Sequence, residues 1–189
     1  MFFAKEFESD LSEAENEALV ALFEQVGLSS VLRANPFAYL RLKPSVYLEN
    51  SPKSGWYSFD EGGAEISISR DSNEYGQTFE WGLIKKLSCT APDEFGAVLR
   101  TLVHEIGHHL HQLLKVKDLA RFKQTCITPC HNACSYYGTV NGLEYFAETF
   151  AAYIYFRTEL IVHDGVGYTM LESALESMGV KVNEYDPGT

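Results

Sequence analysis

The sequence predicts an α+β fold. A small mixed sheet packs on one long amphipathic helix, and a helical C-terminal lobe follows. Three patterns carry this expectation. Residues 56–59 and 64–69 read as two strands around turn residues. Residues 90–114 carry apolar side chains at helical spacing. Residues 143–157 and 169–178 repeat that spacing. The 189 residues are read as one domain, with an N-terminal lobe over about 1–114 and a C-terminal lobe over about 115–189.

Composition narrows the function classes. An apolar fraction of 46% supports a sizeable core, and the net charge of −11 argues against nucleic acid, which needs a basic face. The same charge argues against anionic membrane surfaces. No apolar run is long enough for a membrane span, and the first residues lack the apolar stretch of a signal peptide. A mature chain whose signal has been removed would look the same.

The elements follow in order. Ser12 and Glu15 read as a capping box before Ala18, Leu19, Leu22, Phe23 and Val26, so a helix is expected over about 12–27, stopped by Gly27. Pro36 and Pro44 break the chain. Residues 45–48 read as a short strand closed by Asn50 and Pro52. Trp56–Phe59 and Ala64–Ser69 form a hairpin around Asp60-Glu61-Gly62-Gly63. Phe79, Trp81, Leu83 and Ile84 suggest another strand. Thr90 caps the long helix, with Pro92 and Asp93 in its first turn. Residues 115–135 read as a loop or broken helix. Leu143 opens a helix reaching about Arg157. Gly165 and Gly167 mark a turn, and Gly179 ends the last helix.

On the long helix stands His104-Glu105-Ile106-Gly107-His108, an H-E-x-x-H motif. Its histidines are four residues apart, about 40° on a helical wheel, so both imidazoles can reach one ion. Neutral imidazole is a good zinc ligand. Glu105 leaves the same surface and suits a general base acting on a water. The flanks add weight. Leu99, Val103, Ile106, Leu110 and Leu113 fall within about 80° of one another, and the histidines lie roughly opposite.

Two histidines leave a catalytic zinc site one protein ligand short. The extended motif with a further histidine does not fit, because Leu114 and His111 stand where His and Gly belong. His111 is read as supporting the site or facing solvent, and His109 as a surface residue. Glu144 and Glu148, one turn apart on an otherwise apolar helix, are better candidates. Two such carboxylates are costly to bury unpaired. The natural division is Glu144 as ligand and Glu148 as acceptor of a ligand histidine's N–H. The alternative is a solvated pair, which Tyr145, Phe146, Ala147 and Phe150 argue against.

The run from Ser135 to Phe150, with Tyr137-Gly138 and Glu144-Tyr145-Phe146-Ala147-Glu148, closely resembles the second zinc motif of the anthrax lethal factor catalytic domain and the Pro-Pro endopeptidases. His104-Glu105-x-Gly107-His108 matches the first motif. The resemblance covers about residues 98–157. It implies a zincin-like fold of the gluzincin type and one Zn2+ per chain held by His104, His108 and Glu144. It implies Glu105 as base, Tyr137 as donor to the oxyanion, and a protein or peptide substrate. A bacterial toxin, an effector or a secreted proline-directed protease would fit. The family holds extended peptide along a sheet edge, and by order along the chain that edge would be Glu65–Ser69.

Cys126, Cys130 and Cys134, with His131 among them, lie between the two motifs. They are not a known mark of the family. Free thiols, a disulfide and a second metal site all remain open. Two other functions also stay in view: a zinc-containing binding module that does not cleave, and a DNA-associated zinc protease, against which the acidic charge counts.

Overall fold

The computed structural model describes residues 8–9, 13–35, 39–43, 46–48, 51–53, 55–61, 63–69, 94–127, 133–135 and 137–183. The chain is α+β and forms two compact units. The sequence places the lobe boundary near 114. Among the described residues, contacts group those up to Glu105 in one unit and those from Ile106 onward in the other.

The first unit opens with β1 (Glu8–Ser9), then α1 (Glu13–Gln25) and α2 (Ser29–Ala34). Gly27 ends α1 as expected. Its φ is 76°, the left-handed conformation that glycine adopts without a Cβ penalty. The Gly27 and Leu28 N–H groups donate back to the carbonyls of Glu24 and Phe23, at 3.2 and 2.9 Å. Leu28 and Phe23 are both buried, which completes the helix stop. Helix α2 had no sequence signal of its own. The capping box at Ser12, the prolines at 36 and 44, and Asn50 lie outside the described residues.

The sheet contains β1, β2 (Tyr39–Lys43), β5 (Gly55–Asp60) and β6 (Gly63–Ser69), in the order β1-β2-β6-β5. A separate antiparallel pair joins β3 (Val46–Leu48) to β4 (Ser51–Lys53). Strand β2 runs parallel to β1 and β6, while β5 and β6 form the expected antiparallel hairpin, so the main sheet is mixed.

Glu65–Ser69 is not an edge. Glu65 stands opposite Tyr39 on one side and Ser58 on the other. Its strand also buries residues of both faces, Ile66 and Ile68 on one and Ser67 on the other, as an interior strand does. Among the described residues the outer strand beside it is β5.

Helix α3 (Glu94–Lys117) is the predicted motif helix, extended beyond Leu114. Val103, Ile106 and Leu110 are buried as the stripe requires, and Leu113 is half-buried. Leu99's side chain, Thr90, Pro92, Asp93 and the strand expected around Phe79–Ile84 lie outside what is described.

The second unit is helical: α4 (Leu119–Ile127), α5 (Gly142–Tyr155), α6 (Arg157–His163) and α7 (Gly165–Ser177). Helix α5 is apolar on almost every side and packs against α4, α6 and α7, as a helix without a polar face must. Gly165 and Gly167 do not form a separate turn. They start α7, because Asp164 caps it by accepting from the Gly167 N–H at 2.9 Å. A Cβ at Gly167 would meet the Tyr145 hydroxyl at 2.6 Å. That hydroxyl donates to the other Asp164 oxygen at 2.6 Å, so a buried aspartate ties α5 to α7. Gly179, at φ 72°, ends α7 as expected. Among the described residues, no helix is long and apolar enough to cross a membrane.

Candidate metal centre

Helix α3 places His104 and His108 one turn apart, and both are half-buried. Glu144 lies in the first turn of α5. Asn141 caps this helix, its Oδ1 accepting from Leu143 N–H at 2.8 Å and Glu144 N–H at 3.0 Å. The Asn141-x-x-Glu144 spacing is a cap signal present in the chain itself. The positive end of the helix dipole favours a carboxylate at this position.

The motif glycine has a packing reason. A Cβ on Gly107 would lie 2.8 Å from the Ala147 Cα, so α3 and α5 approach too closely for any other residue. This close crossing sets His108 Nε2 3.2 Å from Glu144 Oε2.

His104, His108 and Glu144 each offer one ligand atom, and these atoms all lie within 4.8 Å of one another. The group could therefore hold a metal ion. Bonds of about 2.1 Å in a tetrahedral arrangement separate neighbouring ligand atoms by roughly 3.4 Å, close to the His108–Glu144 distance. Two imidazole nitrogens and one carboxylate oxygen are a suitable donor set, and they leave one coordination position open.

Glu105 is 5% exposed. It lies against the start of β5: a Cβ on Gly55 would overlap its carboxylate oxygen and sit 2.7 Å from Thr101 Cγ2. Gly55 thus makes room for the Glu105 carboxylate, a role with no motif to reveal it.

Tyr137 opens a 3-10 turn, Tyr137–Thr139, immediately before α5, and is 37% exposed. The turn is held by Val140 N–H donating to the Tyr137 carbonyl at 3.1 Å and by Gly138 N–H donating to Ser135 Oγ at 3.0 Å. Glu148 is half-buried one turn after Glu144, and its Cβ lies 3.5 Å from where a Gly138 side chain would begin.

His109, read as a surface residue, is buried, because it follows Leu102 by two helical turns and shares that buried face. His111, read as supporting the site or facing solvent, is buried, which removes the second of these. Its Nε2 is 2.6 Å from Thr125 Oγ1, and its ring stacks on Phe146 at 4.2 Å between centroids. A partner fourteen residues away was not legible along the chain.

Burial, with a smaller contribution from His108, lowers the His111 pKa from 6.5 to about 3. The unfolded chain therefore takes up a proton below about pH 6.5 that the folded chain refuses, and stability falls as pH drops toward 3. Between pH 7 and 4.5 this residue should account for roughly 2–3 kcal/mol of lost stability. Thermal unfolding of metal-free protein at the two pH values should show a larger fall for wild type than for His111→Phe. Equal falls would remove His111 from the acid response.

Cys126 and Cys134 carry thiols and are not in a disulfide. Burial raises the Cys126 pKa, against the lowering effects of the Thr125 hydrogen bond and Lys115. Neither residue belongs to the His–Glu group. Cys130 and His131 lie outside the described residues. Searches against protein-family models, curated proteins and solved structures found no match.

Proposed function

We propose that this protein is a zinc-dependent endopeptidase that hydrolyses a peptide bond in an extended protein segment. The carrying observation is the grouping of His104, His108 and Glu144, with Glu105 directly following the first histidine in the motif. The resemblance of both motifs to the lethal factor and Pro-Pro endopeptidase family, with its zincin-like fold, supports the same reading.

His104, His108 and Glu144 hold the ion. When bound, zinc supplies Lewis acidity, polarising a carbonyl and acidifying a water. Glu105 takes the water's proton on a carboxylate oxygen and delivers it to the leaving amine. The Tyr137 hydroxyl donates a hydrogen bond to the oxyanion formed on the attacked carbonyl. Glu148 accepts the second N–H of a ligand histidine and so orients its ring. The outer edge of β5, and not Glu65–Ser69, pairs with the backbone of extended substrate.

Chelation tests the metal dependence. Hydrolysis of a denatured protein mixture should stop after dialysis against a chelator. One equivalent of Zn2+ per chain should restore it, and Mg2+ should not. Hydrolysis that persists in chelator would contradict the proposal.

A further inference from the structure

A buried hydrogen bond joins α3 to α4, and the same histidine ring stacks on α5. Thr125 Oγ1 donates its own proton to the Phe122 carbonyl at 2.6 Å. At its 2.6 Å contact with His111 it is therefore the acceptor, and the imidazole carries its proton on Nε2. The ring packs against two phenyl rings. Phe146 is parallel to it, with an interplanar angle of 4°, and Phe122 is tilted, with a centroid distance of 4.6 Å.

These contacts bracket Glu144. Two residues before it, a Cβ on Gly142 would lie 2.6 Å from the Cys126 carbonyl oxygen, so the end of α4 abuts the start of α5. Two residues after it, Phe146 carries the His111 ring. Three residues after it, Ala147 meets Gly107. The first turns of α5 are thus fixed from α3 and from α4, and the His111–Thr125 hydrogen bond joins those two helices.

His111 Nδ1 is buried with no hydrogen-bond partner among the described residues. An unmade buried hydrogen bond costs about 1–3 kcal/mol. A phenylalanine would stack on Phe146 without that cost. What histidine adds here is the Nε2–H bond to α4.

We propose that His111 is a positioning residue for the metal group: its hydrogen bond to Thr125 ties α4 to α3, so that the two helices together fix the first turns of α5 and Glu144 stays in ligand range of His108. The inference rests on the reading of His104, His108 and Glu144 as a metal site. Metal–ligand distances tolerate only about 0.2 Å, so a small drift of α5 lowers affinity before it unfolds the protein.

The test is Zn2+ affinity of the full chain, measured by competition with a chromophoric chelator, alongside thermal unfolding of metal-free protein. Thr125→Val should weaken zinc binding about tenfold, in line with the loss of other supporting partners of metal ligands. Thr125→Ser should restore it. His111→Phe keeps the stack, and should weaken zinc binding similarly while leaving the metal-free protein folded; it decides the matter if Thr125→Val does not fold. Unchanged zinc affinity in a folded Thr125→Val or His111→Phe protein would overturn the positioning role. Absence of zinc binding by wild type would instead overturn the metal site itself, and the positioning role with it.

Discussion

Glu144→Ala should reduce zinc affinity far more than Glu148→Ala. Removing Glu144 deletes one of three donors, and the remaining histidines hold an ion weakly. Removing Glu148 deletes only the proposed orienting partner, a loss of about 10–100-fold in affinity for such groups. The structure bears on this order, because Glu144, not Glu148, stands 3.2 Å from His108 and completes the group. Its backbone N–H is also held by the Asn141 cap. Metal content after gel filtration checks the prediction. Wild type and Glu148→Ala should retain about one ion per chain when zinc is supplied, and Glu144→Ala should not. The reverse order would move the ligand to Glu148.

Glu105→Ala should keep its metal and lose on the order of 10²–10⁴ in turnover, the usual cost of losing a general base. The side chain is buried against β5 but is not one of the grouped ligand residues, so zinc affinity should change little. Both quantities must be measured on one preparation. Lost turnover with retained zinc supports the base. Lost turnover with lost zinc would make Glu105 a structural support. Unchanged turnover would sink the mechanism.

Much of this was legible because it is local. The stripe through Val103, Ile106 and Leu110 marked α3, and the alternation of Ala64, Ile66 and Ile68 marked β6. Glycines at 27 and 179 marked helix ends because each takes a left-handed conformation. The spacing within His104–His108 and the apolar surroundings of Glu144 point to three residues that the fold brings into one group able to hold a metal ion.

What was illegible depends on distant partners. Order along the chain points to an edge at Glu65–Ser69, and neither that order nor the alternation in β6 reveals that Tyr39–Lys43 lies along its far side. For His111 the chain leaves open both support of the site and exposure to solvent; its burial depends on Thr125 in another helix and on two aromatic rings. Gly165 and Gly167 suggested a turn, but Asp164 makes them the first residues of α7, and Tyr145 makes the second a close contact. In each case a rule about one residue type yielded to a contact that the chain does not show locally.

The most direct test is cleavage of a diverse peptide library in the presence of zinc, read by mass spectrometry, with wild type and Glu105→Ala side by side. The zinc peptidase account predicts products from wild type, none or traces from the variant, and recurring side chains flanking the broken bond. Equal cleavage by both proteins, or none by zinc-loaded wild type on any peptide, would contradict it.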